Sequence, residues 1–182
     1  MARPRDAQLD ELILDAAASL LHDGGYAAVT MEDVALRAGA SRPSVYRRWP
    51  TRTHLAFELI MREMLLAPEP PTGDVRADLV RSVTADAALF RSLDRMLMAD
   101  LLSTMITDEQ FATEVDRRFL QVGLEQVAQI LLAAGDTTDA RRRADVFERL
   151  ENLGGALIYR TFVLHRDLDA AAVQRLVDAL LL

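Results

Sequence analysis

Apolar residues recur along this chain at intervals of three and four, and nowhere do they alternate long enough to make a strand. Leu9, Leu12, Ile13, Ala16, Ala17, Leu20 and Leu21 form the first such row. Chains patterned this way fold as packed helices, so the expected fold class is all-α. Gly24-Gly25 ends the first helix. Thr30 followed by Asp33 reads as a capping box for a second helix, Met31 to about Ala38. Gly39 allows a tight turn, Ser41 caps a third helix, and Pro43 is tolerated in its first turn. Pro50 ends that helix, and Thr51 caps a fourth running to about Leu66. The segment Ala67-Pro68-Glu69-Pro70-Pro71-Thr72-Gly73 holds three of the six prolines and a glycine. It divides the chain into residues 1–66, with a linking helix over 51–66, and residues 67–182. Beyond it the spacing predicts helices near 74–90, 92–106, 108–134, 139–165 and 169–181.

With 182 residues, 51% hydrophobic and 27% charged, the chain has enough apolar material for one or two cores. No cysteine is present, which excludes disulfides, thiolate metal sites and cysteine catalysis. Asp6, Asp10, Glu11 and Asp15 interrupt any signal-peptide core, and no stretch has the length of a membrane span, so a soluble, cytoplasmic protein is expected. His22, His54 and His165 are scattered without a second metal ligand at useful spacing. Asp108-Glu109 and Glu148/Glu151 suit solvated helix faces better than an acid–base pair. No nucleophile motif or phosphate loop accompanies them. No enzyme activity, catalytic residue, metal or cofactor is expected.

Charge points to a different function. The net formal charge is −7, yet from Arg37 to Phe57 there are five arginines (Arg37, Arg42, Arg47, Arg48, Arg52) and no acidic residue. Most of the acidic excess lies beyond residue 66, so that part is not expected to touch nucleic acid. A basic island on a helix, tight turn and second helix is what reading duplex DNA requires. Within the third helix Ser41, Val45 and Trp49 share one row, facing the scaffold. The other rows pair Arg42 with Tyr46, Pro43 with Arg47, and Ser44 with Arg48. The N-terminal end of such a helix reaches base edges, which makes Arg42 and Ser44 the base-contact candidates, Arg42 with a bidentate reach to guanine. Pro43 offers a surface for a thymine methyl group. Tyr46, Arg47 and Arg48 are placed for phosphates or rim bases. Arg52, at the start of the fourth helix, adds a phosphate contact assisted by the helix dipole. A helical hairpin with a merely solvated arginine face is the bland alternative. It does not account for cap, glycine turn, aromatic block and acid-free arginines together.

Those residues resemble the TetR family of transcriptional regulators. Thr30 as cap, Val34-Ala35, Ala38-Gly39-Ala40-Ser41 and Tyr46-Arg47-Arg48-Trp49 match its N-terminal signature over about residues 7–66. Ala40 replaces the usual valine, Pro43 a glycine or polar residue, Arg52 the usual lysine and Thr53 the usual glutamate. The resemblance implies phosphate contacts from Tyr46 and Arg52, with Thr30 a third. It also implies an effector-binding domain beyond Gly73, a homodimer formed by the last two helices, a double-stranded operator as partner, and an unknown small-molecule effector. Met61, Met64, Phe90, Met98, Met105 and Phe119 are candidate pocket residues, although methionine and phenylalanine at helical spacing more often form plain core. Gly154, Gly155, Leu157, Ile158, Val173, Leu176, Val177 and Leu180 are the candidate dimer face. The expected function is a repressor that binds a palindromic operator as a dimer and is released by effector. The competing expectation is a helical DNA-binding or interaction protein without ligand response.

Overall fold

The computed structural model describes residues 4–64, 70–133 and 140–181, and among these there is no strand. The helices are α1 (Pro4–Gly24), α2 (Met31–Arg37), α3 (Arg42–Arg48), α4 (Arg52–Met64), α5 (Val75–Ser92), α6 (Arg95–Thr107), α7 (Glu109–Val115), α8 (Gln121–Ala133), α9 (Ala140–Ile158) and α10 (Ala170–Leu181). A 3-10 turn, Tyr26–Ala28, lies between α1 and α2. Two π-turns occur, Asp116–Leu120 joining α7 to α8 and Tyr159–Val163 extending α9.

The helix ends follow local chemistry. Thr30 Oγ1 accepts the Asp33 backbone N–H at 3.1 Å, and Ser41 Oγ accepts that of Ser44 at 3.3 Å. Asp74 caps α5 by accepting from Ala77 N at 3.0 Å, and Asp169 caps α10 by accepting from Ala172 N at 2.7 Å. The capping box differs from expectation in one respect. The Thr30 hydroxyl donates to the Asp33 carboxylate at 2.6 Å, while the Thr30 N–H goes to the Ala28 carbonyl. Asp33 is one methylene shorter than the glutamate of a standard box and reaches the nearer hydroxyl. At the end of α1, a Cβ on Gly24 would lie 2.7 Å from Ala28 Cβ, so only glycine fits.

The contacts divide the chain into two units, Met1–Ala67 with Asp94–Glu114, and Pro68–Leu93 with Val115–Leu182. The division read from the proline-rich segment follows chain order. The contacts add Asp94–Glu114, including α6, to the N-terminal helices. In this first unit α4 packs on α1 and on α6, and Leu55, Ala56, Phe57, Leu59, Ile60 and Met61 are all buried. Phe57 meets Phe111 edge-on at 5.6 Å. Ile13, Ala16, Ala17 and Leu20 are the buried row of α1, whereas Leu12, expected in that row, is half-exposed at its edge.

The second unit contains α5, α8, α9 and α10. Leu79, Val83, Ala87 and Phe90 form the buried row of α5, and Ala172, Val173, Val177 and Leu180 that of α10. α10 packs on α5, with Arg76 paired to Asp178 and donating to Gln174 Oε1 at 2.9 Å. The buried Asp78 carboxylate accepts from Thr72 N and Oγ1 (2.8 and 2.9 Å), Gly73 N (3.2 Å) and Arg81 (2.6 Å). Burial alone raises the pKa of this carboxyl, but these bonds outweigh it and hold the pKa below the ordinary aspartate value.

Candidate nucleic-acid interface

Two short helices and the turn between them build the interface. Met31, Val34 and Ala35 bury one face of α2. Ala40 N donates to the Ala35 carbonyl at 2.9 Å, and Gly39 between them takes φ +62°, a conformation that favours glycine. Val45 is fully buried and Trp49 nearly so, which fastens the inner row of α3 to the unit. Burying side chains of this size contributes roughly 1.5–3 kcal/mol each, enough to hold a seven-residue helix that would not persist alone.

The opposite side of α3 faces solvent. Arg42, Pro43, Tyr46 and Arg47 are exposed, as is Thr30 at the start of α2. Ser44 is half-buried and accepts from the Ser41 hydroxyl at 3.0 Å. Arg48 turns inward: its side chain is only 12% exposed, it pairs with Asp10 of α1, and it donates to the Ser44 carbonyl at 3.0 Å. Expected as a DNA contact, Arg48 serves here as a brace between α3 and α1. Position i+4 from Ser44 lies at the flank of the outward face, within reach of the acidic side of α1.

Arg52 is also turned to the protein. Its guanidinium donates to Asp100 Oδ2 at 2.8 Å and lies 4.4 Å over the Tyr26 ring. The Tyr26 hydroxyl donates to that same oxygen at 3.0 Å and lies 3.4 Å from Thr53 Oγ1. Burial raises the Tyr26 pKa above its ordinary value, so the phenol keeps its proton. Asp94, the cap of α6, accepts from Tyr26 N at 3.2 Å as well as from Met96 N.

The acid-free run of arginines is thus met by acids from elsewhere in the fold. Arg37 donates to Asp23 at 2.9 Å and to Ser19 at 2.6 Å, and this hydrogen bond lowers the Asp23 pKa. Arg42 pairs with Glu32, Arg48 with Asp10 and Arg52 with Asp100. Local sequence gives no sign of Asp100 or Tyr26, which lie 48 residues after and 26 before Arg52. Among the described residues Arg47 has no acidic partner.

The remaining candidates divide between the two units. Met61 and Met98 are buried and Met105 half-buried in the first unit, while Phe90 and Phe119 belong to the second. The side chain of Met64 lies outside the described residues. Phe119 sits on the first π-turn, and Phe90 meets Phe162, on the second, edge-on at 6.1 Å. Of the expected dimer face, Leu157, Val173, Val177 and Leu180 are buried within the protomer. A helix with one apolar row first buries that row against its own neighbours. Gly154, Ile158 and Leu176 are half-exposed and Gly155 is exposed.

Family models match both parts of the chain. Residues 13–59 match the model described as bacterial regulatory proteins, tetR family, and residues 69–180 match that of the tetracyclin repressor-like C-terminal domain. The chain belongs to the TetR family. It is a TetR-type transcriptional regulator, from a family of DNA-binding regulators rather than enzymes. An HTH-type transcriptional regulator of Mycobacterium bovis is 37% identical over 136 residues, 74% of this chain and 67% of that protein. The DNA-binding transcriptional repressor TetR of Mycobacteroides abscessus is 27% identical over 176 residues, 93% of this chain and 90% of that protein. The crystal structure of a TetR transcriptional regulator from Rhodococcus sp. RHA1 superposes with a TM-score of 0.61 at 25% identity, covering 97% of both chains. TetR-family regulators bind DNA and act as dimers. Among the described residues no helix is long and apolar enough to cross a membrane, and no group of acids and histidines could hold a metal ion.

Proposed function

We propose that this TetR-family regulator is a repressor that binds a palindromic operator as a dimer and leaves it when a small molecule enters the second unit. The observation that carries the DNA-reading part is the outward face of α3. There Arg42, Pro43, Tyr46 and Arg47 stand clear of a helix whose opposite row, Val45 and Trp49, is buried. The similarity to a protein named a transcriptional repressor supports repression.

The dimer reading is supported by a groove of about 250 Å³ lined by Arg149, Asn152, Leu153, Ala156, Leu176 and Ala179. Gly154 and Gly155 lie on the same helix, and a Cβ on either would meet nothing within 4 Å. The effector reading is supported by polar groups that the second unit leaves unanswered. Arg160 Nε and Thr161 Oγ1 are buried without a hydrogen-bond partner. Asp86, on the α5 row one turn before Phe90, is pushed up to about 6 by burial. Orphaned groups of this kind call for a ligand or ordered water.

Selection of genomic fragments by the purified protein, followed by gel shifts, tests the reading. Arg42→Ala is expected to relax sequence preference at one base position, costing roughly 1–3 kcal/mol there. Arg47→Ala is expected to weaken all sequences alike. Equal, sequence-independent losses from both changes would refute Arg42 as a base reader. Fragments that no candidate small molecule can release would leave a constitutive DNA-binding protein.

A further inference from the structure

We infer that Asp100 of α6 competes with DNA phosphate for Arg52 and so sets the affinity of the regulator for its operator. The inference deepens the proposed function and rests on its DNA-reading part. Arg52 is the first residue of α4, a thirteen-residue helix that begins four positions after the end of α3. Its own charge and the positive end of the α4 dipole are an anchor for an anion. In this structure the anion is a carboxylate of the protein. Asp100 Oδ2 accepts from both Arg52, at 2.8 Å, and the Tyr26 hydroxyl, at 3.0 Å, and the Tyr26 ring lies under the guanidinium at 4.4 Å.

This pair differs from the others around the arginine run. Arg42 and Glu32 are both 60% exposed, and an ion pair so solvated contributes little and opens freely. Arg52 and Asp100 are 38% and 33% exposed, and they belong to a network with an aromatic face and a fixed donor. Asp100 is also the partner that conformational change can withdraw. It is carried by α6, and the start of α6 is fastened to the Tyr26 backbone through Asp94. A rotation or slide of α6 moves the carboxylate relative to Arg52, whereas Glu32 and Asp10 lie on the α2 and α1 scaffold of the reading helix. The structure therefore holds Arg52 in a latched, low-affinity arrangement. An effector that tightens the latch lowers operator affinity, and one that withdraws Asp100 raises it.

The test is a double-mutant cycle on the full-length protein. Its probe is a fluorescein-labelled duplex that the wild-type protein has selected from genomic DNA, titrated by anisotropy across KCl concentrations. Asp100→Asn preserves shape and an acceptor for Tyr26 while removing the competing charge. It is expected to tighten binding about fivefold or more at low salt, the scale of one charge-assisted hydrogen bond, and to steepen the dimer's salt slope by about 1.8, one phosphate for each of its two Arg52 side chains. In an Arg52→Gln background the same change is expected to do nothing. Tyr26→Phe, which leaves Arg52 without a rival donor on Asp100 Oδ2 and does not alter charge, is expected to strengthen the latch and weaken binding to a smaller degree, an effect that Arg52→Gln abolishes. It provides the readout should Asp100→Asn fail to fold. Equal tightening by Asp100→Asn with and without Arg52 would mean that only the general field had changed, and would overturn the inference. Weakened binding by Asp100→Asn would overturn it too, because Asp100 would then be orienting Arg52 toward DNA, as would tightened binding by Tyr26→Phe. A wild-type protein that selects no duplex refutes the DNA-reading proposal itself, a separate result.

Discussion

Asp86 is the residue whose setting is least comfortable. It lies half-buried on α5 in the second unit, and among the described residues no hydrogen bond or ion pair reaches it. Desolvation raises its pKa from 3.8 to about 6. The native state therefore holds this proton more tightly than the unfolded chain does. Its contribution to stability is full below pH 3.8 and is lost as pH rises through 6. At neutral pH the partly desolvated charge is a liability that Asp86→Asn removes. Urea unfolding is expected to show the variant more stable by roughly 1–3 kcal/mol at pH 7.5, with the difference shrinking toward zero at pH 4. A difference that does not change with pH would mean that Asp86 is solvated in the native protein. Asp78 shows the opposite arrangement, with donors from Thr72, Gly73 and Arg81 answering a buried carboxylate. One unit thus contains a buried acid that organises a turn and a half-buried one that nothing among the described residues answers.

At the scale of the element, the paired glycines of α9 give a prediction whose sign is informative. Glycine in a helix interior costs roughly 1 kcal/mol relative to alanine, and within the protomer a Cβ at Gly154 or Gly155 meets open space. Gly154→Ala and Gly155→Ala are therefore expected to stabilise an isolated protomer. If a partner helix approaches this face closely, the same changes lower the dimer's thermal midpoint and raise its dissociation constant in sedimentation. Stabilisation without loss of dimer would move the interface elsewhere on α9 and α10. The helices themselves were legible because their signals are local. Thr30 with Asp33, Ser41 with Ser44 and the turn at Gly39 lie within a few residues of what they control, and the buried pair Val45 and Trp49 follows from spacing alone. The two π-turns carry no comparable signature. Nor could local spacing show that Asp10, Glu32 and Asp100 answer Arg48, Arg42 and Arg52, because tertiary packing creates those pairs. The Met and Phe set divides between the two units for the same reason: periodicity marks a buried face without saying which core the face joins.

At the scale of the whole molecule, the pairing of arginines with carboxylates changes how strongly DNA binding should respond to salt. Five arginines in the stretch from Arg37 to Phe57 suggest ten cations per dimer. In the folded protein Arg37, Arg48 and Arg52 are held by Asp23, Asp10 and Asp100, while Arg42 is in a readily opened pair and Arg47 faces solvent. Two available arginines per protomer, each neutralising one phosphate, give a dimer a slope of log K against log salt of roughly −3.5. The net charge of −7 per chain works in the same direction, disfavouring contacts beyond the reading face. A measured slope near −7 would require Arg48 and Arg52 to leave their carboxylates in the complex, so that binding includes breaking both braces. A slope near −3.5 that steepens when Asp100 loses its charge would place the contest at Arg52 alone. The same titration thus separates a rigid reader from one whose grip on DNA depends on where α6 carries its carboxylate.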